Sequence, residues 1–207
     1  MADHPVILIG GGGHAGVVLD VCIASGVRVA GVLDDNADCP LADALPYLGP
    51  LDAAIPEEAR ALVALGNLDA RQRVIDRLDP DRAAEAIVHP SATVSPSATL
   101  GRGAVLMPGA VVNRDARVGD HAIVNTRAVV EHDCVVGANT HIAPGAVLGG
   151  GASVDRRTLV GLQSGVLPGM RIGARCVIGA GAIVTGDIED GTTAAGVPAR
   201  AIATPVG

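Results

Sequence analysis

The chain has 207 residues, room for one large domain or two small ones, and carries a formal net charge of −7. It holds no Phe, no Trp, no Lys and a single Tyr, which argues against a conventional aromatic-rich core and against the basic stripe of a nucleic-acid binder. Charge is uneven: residues 1–86 have six Arg against fourteen acids, whereas residues 87–207 have nine Arg against eight.

No apolar run reaches the roughly eighteen residues of a membrane span, and the start of the chain lacks the basic segment of a secretory signal, so a cytoplasmic protein is expected. The four cysteines show no CxxC spacing, and neither disulfides nor zinc are suggested.

Residues 1–86 read as a small Rossmann-like α/β unit. Val6 to Ile9 is an apolar strand followed at once by Gly10-Gly11-Gly12-Gly13-His14-Ala15-Gly16. The spacing predicts a helix over 17–24 with Val17, Val18, Val21 and Cys22 on its apolar face, then strands over 27–33 and 61–65 and a helix over 69–78. Gly11, Gly13 and Gly16 fit G-x-G-x-x-G between a strand and a helix, where backbone N–H groups take phosphate. Asp34, with Asp35 beside it, falls about where an acidic ribose ligand is expected, although paired acids also occur as a solvated strand end. A unit of this size is too small for two mononucleotide halves, so the motif argues for one nucleotide, such as a nucleotide sugar. His14 either faces that ligand or caps the turn.

From Val88 to Val184 every sixth residue is Val, Leu or Ile, seventeen positions without an insertion. Four residues after each stands a small side chain, Met170 being the one large exception. A strict period of six belongs to neither helix nor simple strand; it predicts a solenoid in residues 87–207 whose short strands and turns stack coil upon coil. Cys134 and Cys176 occupy the small slot and are expected to be buried and inert.

Chemical groups in the repeat are few. His89 is expected to be structural, and His121 is expected on a solvent-facing turn. His132 lies between Glu131 and Asp133, and a histidine flanked by carboxylates suits a general base if the chain bends there to let one of them orient it. A charged surface triplet is the alternative. The intervals between His121, His132 and His141 are eleven and nine residues, unlike the histidine pattern of the gamma-class carbonic anhydrases, so no metal is expected.

The repeat ending in Gly196-Val197-Pro198-Ala199-Arg200 resembles the hexapeptide acyltransferases. The segments Gly10-x-x-Gly13-His14, Leu33-Asp34-Asp35, Ala64-Leu65-Gly66-Asn67, Asn125-Thr126 and Glu131-His132-Asp133-Cys134 are similar to one branch of them, the sialic-acid O-acetyltransferase (NeuD-like) family, and within it to N-acetyltransferases of nucleotide-linked 4-amino-4,6-dideoxy sugars. The resemblance implies a left-handed parallel β-helix after the α/β domain, a homotrimer with sites between subunits, and acetyl-CoA as co-substrate. It implies His132 as base, Asp133 as its orienting partner, and Asn125 lining the same pocket. Gly11, Gly13, His14, Asp34, Asp35, Gly66 and Asn67 would hold the nucleotide sugar; His141, Gly150, Ala180 and Arg200 would meet the acetyl-coenzyme A side. Relatives often carry Lys where this chain has Gly16, and Arg71 is the expected substitute for that phosphate contact. Sialic-acid O-acetylation and non-catalytic nucleotide-sugar binding are the competing readings, and a bacterial surface glycan or glycoprotein is the expected destination.

Overall fold

The computed structural model describes residues 4–202. Its first part is a four-stranded parallel sheet built from β1 (Val6–Ile9), β2 (Val29–Leu33), β3 (Tyr47–Gly49) and β4 (Arg60–Val63), in the order β3-β2-β1-β4. β1 is apolar throughout because both faces of the sheet are covered. Helix α1 (Gly13–Ala24) packs Val18, Val21 and Cys22 on one face. Helix α2 (Leu68–Ile75) and Leu51, Ala53 and Ile55 cover Ile7, Ile9 and Val63 on the other.

Several boundaries differ from the sequence expectation. β2 begins at Val29, β4 occupies 60–63, and α2 ends at Ile75, three residues early. β3 was not expected at all; it follows a proline-opened 3-10 turn (Pro40–Asp43) and gains its strand character only by pairing with β2. Val17 is 43% exposed, and Ala15 and Leu19 take its expected place on the buried face of α1.

Ile87 opens the solenoid. Seventeen two-residue strands run from Ile87–Val88 to Ile183–Val184, and each ends on the aliphatic residue of its hexad. Ile123 pairs with His141 and His141 with Leu159, so one circuit takes 18 residues and three strands, and the strands form three parallel sheets. The inward Val, Leu and Ile residues from Leu106 onward are buried in one core with the small-slot residues. Val88, Val94 and Leu100 are only partly buried, since they belong to the first coil. Where the small slot is polar, its hydroxyl is satisfied: Thr140 Oγ1 donates to the Asp155 carbonyl at 3.0 Å and Thr158 Oγ1 to that of Gly173 at 2.8 Å.

The two parts share a core. The outer side chains Ile87, Val105 and Ile123 of one solenoid wall are buried with Val18, Leu19 and Cys22 of α1, and Ser25 Oγ donates to the Val88 carbonyl at 2.8 Å. The next residue up that outer column is His141. The nucleotide-type loop is thus seated against one wall of the solenoid, with a histidine at its edge.

Candidate active site

The glycine loop leaves β1 and turns into α1. Gly11 is held there: its N–H donates to Asp34 Oδ2 at 2.7 Å, and a β-carbon at Gly11 would clash with the Cys39 sulfur. Asp34 Oδ1 also accepts from the Asn36 N–H at 2.9 Å, so this carboxylate braces the loop from the end of β2. The Tyr47 hydroxyl donates to the Asp34 carbonyl at 3.0 Å. Side chains at Gly12, Gly13 and Gly16 would meet nothing within 4 Å, which leaves the start of α1 open with no acid in its first turn. Asp35 accepts from Leu51 N–H at 3.1 Å and borders a cavity of about 440 Å³ lined also by Ile9, Ile55, Arg73 and Arg77.

Asn67 caps α2, its side-chain oxygen accepting from the N–H groups of Asp69 and Ala70 at 3.1 and 2.9 Å. Gly66 lies against His14, where an added β-carbon would sit 3.5 Å from the His14 β-carbon. The His14 ring centroid is 6.2 Å from that of His141, and its Nε2 is buried with no hydrogen-bond partner among the described residues. Burial, and then the Arg71 charge, push the His14 pKa down. The same two causes, joined by His14, bring His141 to about 4.

Asn125 fixes the tautomer of His141. Its Oδ1 accepts from the Thr126 N–H at 2.7 Å, so its Nδ2 faces His141 Nε2 at 2.9 Å and donates to it. The neutral ring therefore carries its proton on Nδ1.

His132 sits elsewhere. It stands on the corner after the Val129–Val130 strand, where Asp133 adopts a left-handed φ of 60°. That bend brings the neighbouring side chains together: His132 Nδ1 donates to Asp133 Oδ2 at 2.7 Å. The ring is exposed, and its pKa is raised by the Asp133 hydrogen bond and by the charges of Asp133 and Glu131, with desolvation opposing. Glu131 itself accepts from Asn113 Nδ2 at 2.9 Å. Nε2 is left as the free basic nitrogen, and it overlies Gly150 of the next coil: a β-carbon there would fall 2.5 Å from it. Cys134 is no nucleophile, since burial raises its thiol pKa and its sulfur donates to the Gly149 carbonyl.

His132 and His141 are nine residues apart on an 18-residue circuit, which is half a turn. A corner and the wall opposite it carry them, so one chain does not gather them in a single pocket. Gly150 likewise shares the corner of His132, whereas the exposed Ala180 lies on the corner that follows the His141 wall. Arg200 is exposed on a final strand antiparallel to Thr193–Ala195.

Two expectations are corrected. His121 is not on a solvent-facing turn: it is 8% exposed, because α2 docks over its corner. Arg71 is not free to meet a phosphate: its guanidinium is fully buried against Asn139 and the Leu65 carbonyl. Asn139 was missed, though Asn is favoured at a left-handed corner, and it has φ 51°.

Comparison with known proteins agrees with this architecture. Residues 5–78 match the PglD N-terminal domain, residues 115–150 the bacterial transferase hexapeptide (six repeats), and residues 151–186 the hexapeptide repeat of succinyl-transferase. A search of curated proteins by sequence finds no match. Among solved structures, the acetyltransferase domain of PglB from Neisseria gonorrhoeae is 33% identical with a TM-score of 0.88, covering 96% of this chain and 100% of that one. PerB from Caulobacter crescentus, solved in complex with CoA and GDP-perosamine, is 39% identical with a TM-score of 0.86, covering 96% and 97%. WeeI from Acinetobacter baumannii, at 22% identity and a TM-score of 0.86 over 96% and 99%, shares the fold. With a third or more of its residues shared along nearly the whole of both chains, this chain is an acyltransferase and belongs to the hexapeptide-repeat acetyltransferases of nucleotide amino sugars that carry a PglD-type N-terminal domain.

Proposed function

We propose that this chain transfers the acetyl group of acetyl-CoA to the amine of a nucleotide-linked 4-amino-4,6-dideoxy sugar, with His132 as the general base. The observation that carries the reading is the His132 corner, where Asp133 holds Nδ1–H and Gly150 clears the space beside Nε2. The relatives support it: PerB was solved with CoA and GDP-perosamine, and the PglB domain with acetyl coenzyme A.

The open start of α1 offers N–H groups to the diphosphate, and the cavity beside Asp35 has the size for a nucleoside. Asp34 and Asn67 keep their place by shaping the loops around that nucleotide. The amine attacks the thioester carbonyl as His132 Nε2 takes its proton; the thiolate leaves and receives that proton back. Asp133 orients the ring and stabilises the imidazolium. His141, neutral at pH 7 with its proton on Nδ1, offers a hydrogen bond without a charge.

The half-turn between His132 and His141 supports a homotrimer in which one subunit's His132 corner faces another's His141 wall, with Gly150 and Ala180 flanking the coenzyme A arm from two subunits. Exposed Val135, Val147, Leu162 and Leu167 on the solenoid are suited to such an interface.

The test is thiol release from acetyl-CoA with UDP-, dTDP- and GDP-linked amino sugars and with sialic acid as acceptors. His132→Ala is expected to lose roughly 10²- to 10⁴-fold in turnover while still binding coenzyme A. Unchanged turnover in the variant, or turnover only with sialic acid, would overturn the reading.

A further inference from the structure

Arg71 is the one charged side chain of the described residues with no exposed surface. A guanidinium removed from water ordinarily sits against a carboxylate. None of the ion pairs among the described residues includes Arg71. Its partners are neutral: Nε donates to Asn139 Oδ1 at 2.5 Å, Nη1 to the Leu65 carbonyl at 3.0 Å and Nη2 to the Asn139 carbonyl at 3.4 Å.

These partners belong to different parts of the chain. Asn139 is a solenoid corner, stacked 18 residues above His121 and 18 below Arg157. Its Nδ2 returns to α2, donating to the Leu68 carbonyl at 3.2 Å and to Gln72 Oε1 at 2.8 Å. Leu65, on the other side, leads into Gly66, which lies on His14, and His14 faces His141. A continuous set of contacts thus runs from the solenoid corner through Arg71 to the glycine loop and back to the solenoid wall.

We propose that Arg71 and Asn139 form a positioning pin that sets the register of the nucleotide-binding part against the wall carrying His141, and so fixes where the sugar amine is presented. The pin rests on the acetyl-transfer reading above. It needs an arginine rather than a lysine, because three donors in a rigid plane reach two backbone carbonyls and one side chain at once. Its charge also acts on the site. Arg71 from α2 and His14 from α1 are the groups whose charge lowers the proton affinity of His141; Asp120 on its own turn and Arg71 do so with opposite signs for His121. The only ion pair between α2 and this corner column, Asp69 with Arg157 at 3.4 Å, is exposed and leaves the buried charge uncompensated.

Two variants test this in the full chain. Arg71→Lys keeps the charge and loses the fork; the KM for the nucleotide sugar should rise about tenfold or more, with the KM for acetyl-CoA unchanged. Asn139→Asp keeps the size and the acceptor but supplies the missing counter-charge. Imidazole NMR should then show His141 titrating at higher pH than in the unaltered protein, a change that a merely structural contact would not produce. If Arg71→Lys does not fold, the His141 titration in Asn139→Asp decides alone. The pin is refuted if the original protein is active and Arg71→Lys keeps both KM values, if both KM values worsen together, or if His141 titrates identically in Asn139→Asp. Absence of turnover with every nucleotide amino sugar in the original protein would instead count against the acetyl-transfer reading, while the NMR result would still report on the contact itself.

Discussion

Replacing Gly150 by Ala adds one carbon beneath the proposed base. Built on the backbone, that carbon lies 2.5 Å from His132 Nε2 and 2.6 Å from Cε1, whereas ordinary contact begins near 3.4 Å, so the ring must retreat by nearly 1 Å. A misplacement of about 1 Å in a reacting group costs on the order of 10²-fold. The fold should not suffer, because the obstructing atoms end a side chain that is 62% exposed and free to swing. Gly150 is also not among the residues with left-handed φ, unlike its neighbour Gly151 at 69°, so alanine meets no backbone penalty. The assay is steady-state thiol release at saturating acetyl-CoA and acceptor, paired with a melting curve. We expect kcat to fall roughly 10²-fold at unchanged Tm. A variant whose kcat stays within about threefold of the original would refute the steric argument. A raised KM for acetyl-CoA at constant kcat would assign Gly150 to the coenzyme arm instead.

Asp133→Asn removes the main cause of the raised His132 pKa, so the acid limb of kcat/KM should move to lower pH while the plateau drops; a limb that stays in place would mean another group sets it. Folding stability should fall as pH drops from about 6.5 toward 4, because an unfolded His141 binds a proton in that window and the folded one does not. The His141 share is on the order of 3 kcal/mol, and urea midpoints of His141→Asn should show a shallower pH slope; an identical slope would contradict the assigned shift. Gly16→Lys restores the residue common in relatives at a position with open space and no left-handed backbone, and the KM for the nucleotide sugar should decrease severalfold. No change would indicate that the open helix start suffices for the diphosphate.

The solenoid was legible because its register is local: a hexad tolerates no slip, and each aliphatic position means the same thing in every coil. The glycine loop and the His132 corner were legible for similar reasons, each being contained in a few consecutive residues. What the sequence hid depends on docking. Nothing adjacent to His121 says that α2 covers it. Among Arg71, Arg73 and Arg77, only Arg71 turns inward; its spacing to Val74, Ile75 and Leu78 was the available signal, outweighed by the habit of reading arginine as solvated. β3 escaped notice because three residues after a proline-led turn show no alternation, and their strand character is conferred by β2. The tight fit of His132 over Gly150 joins positions one circuit apart, which becomes visible only once the 18-residue register is known.

The near absence of aromatic residues gives this protein an unusual optical property. With no Trp and no Phe, Tyr47 is the sole intrinsic fluorophore, and its hydroxyl is hydrogen-bonded to the carbonyl of Asp34, the residue that braces the glycine loop. Emission and near-ultraviolet dichroism of the unlabelled protein therefore come from one point beside the nucleotide loop. Events in that loop can be followed without a reporter dye, while the solenoid with its acetyl-transfer corner stays dark.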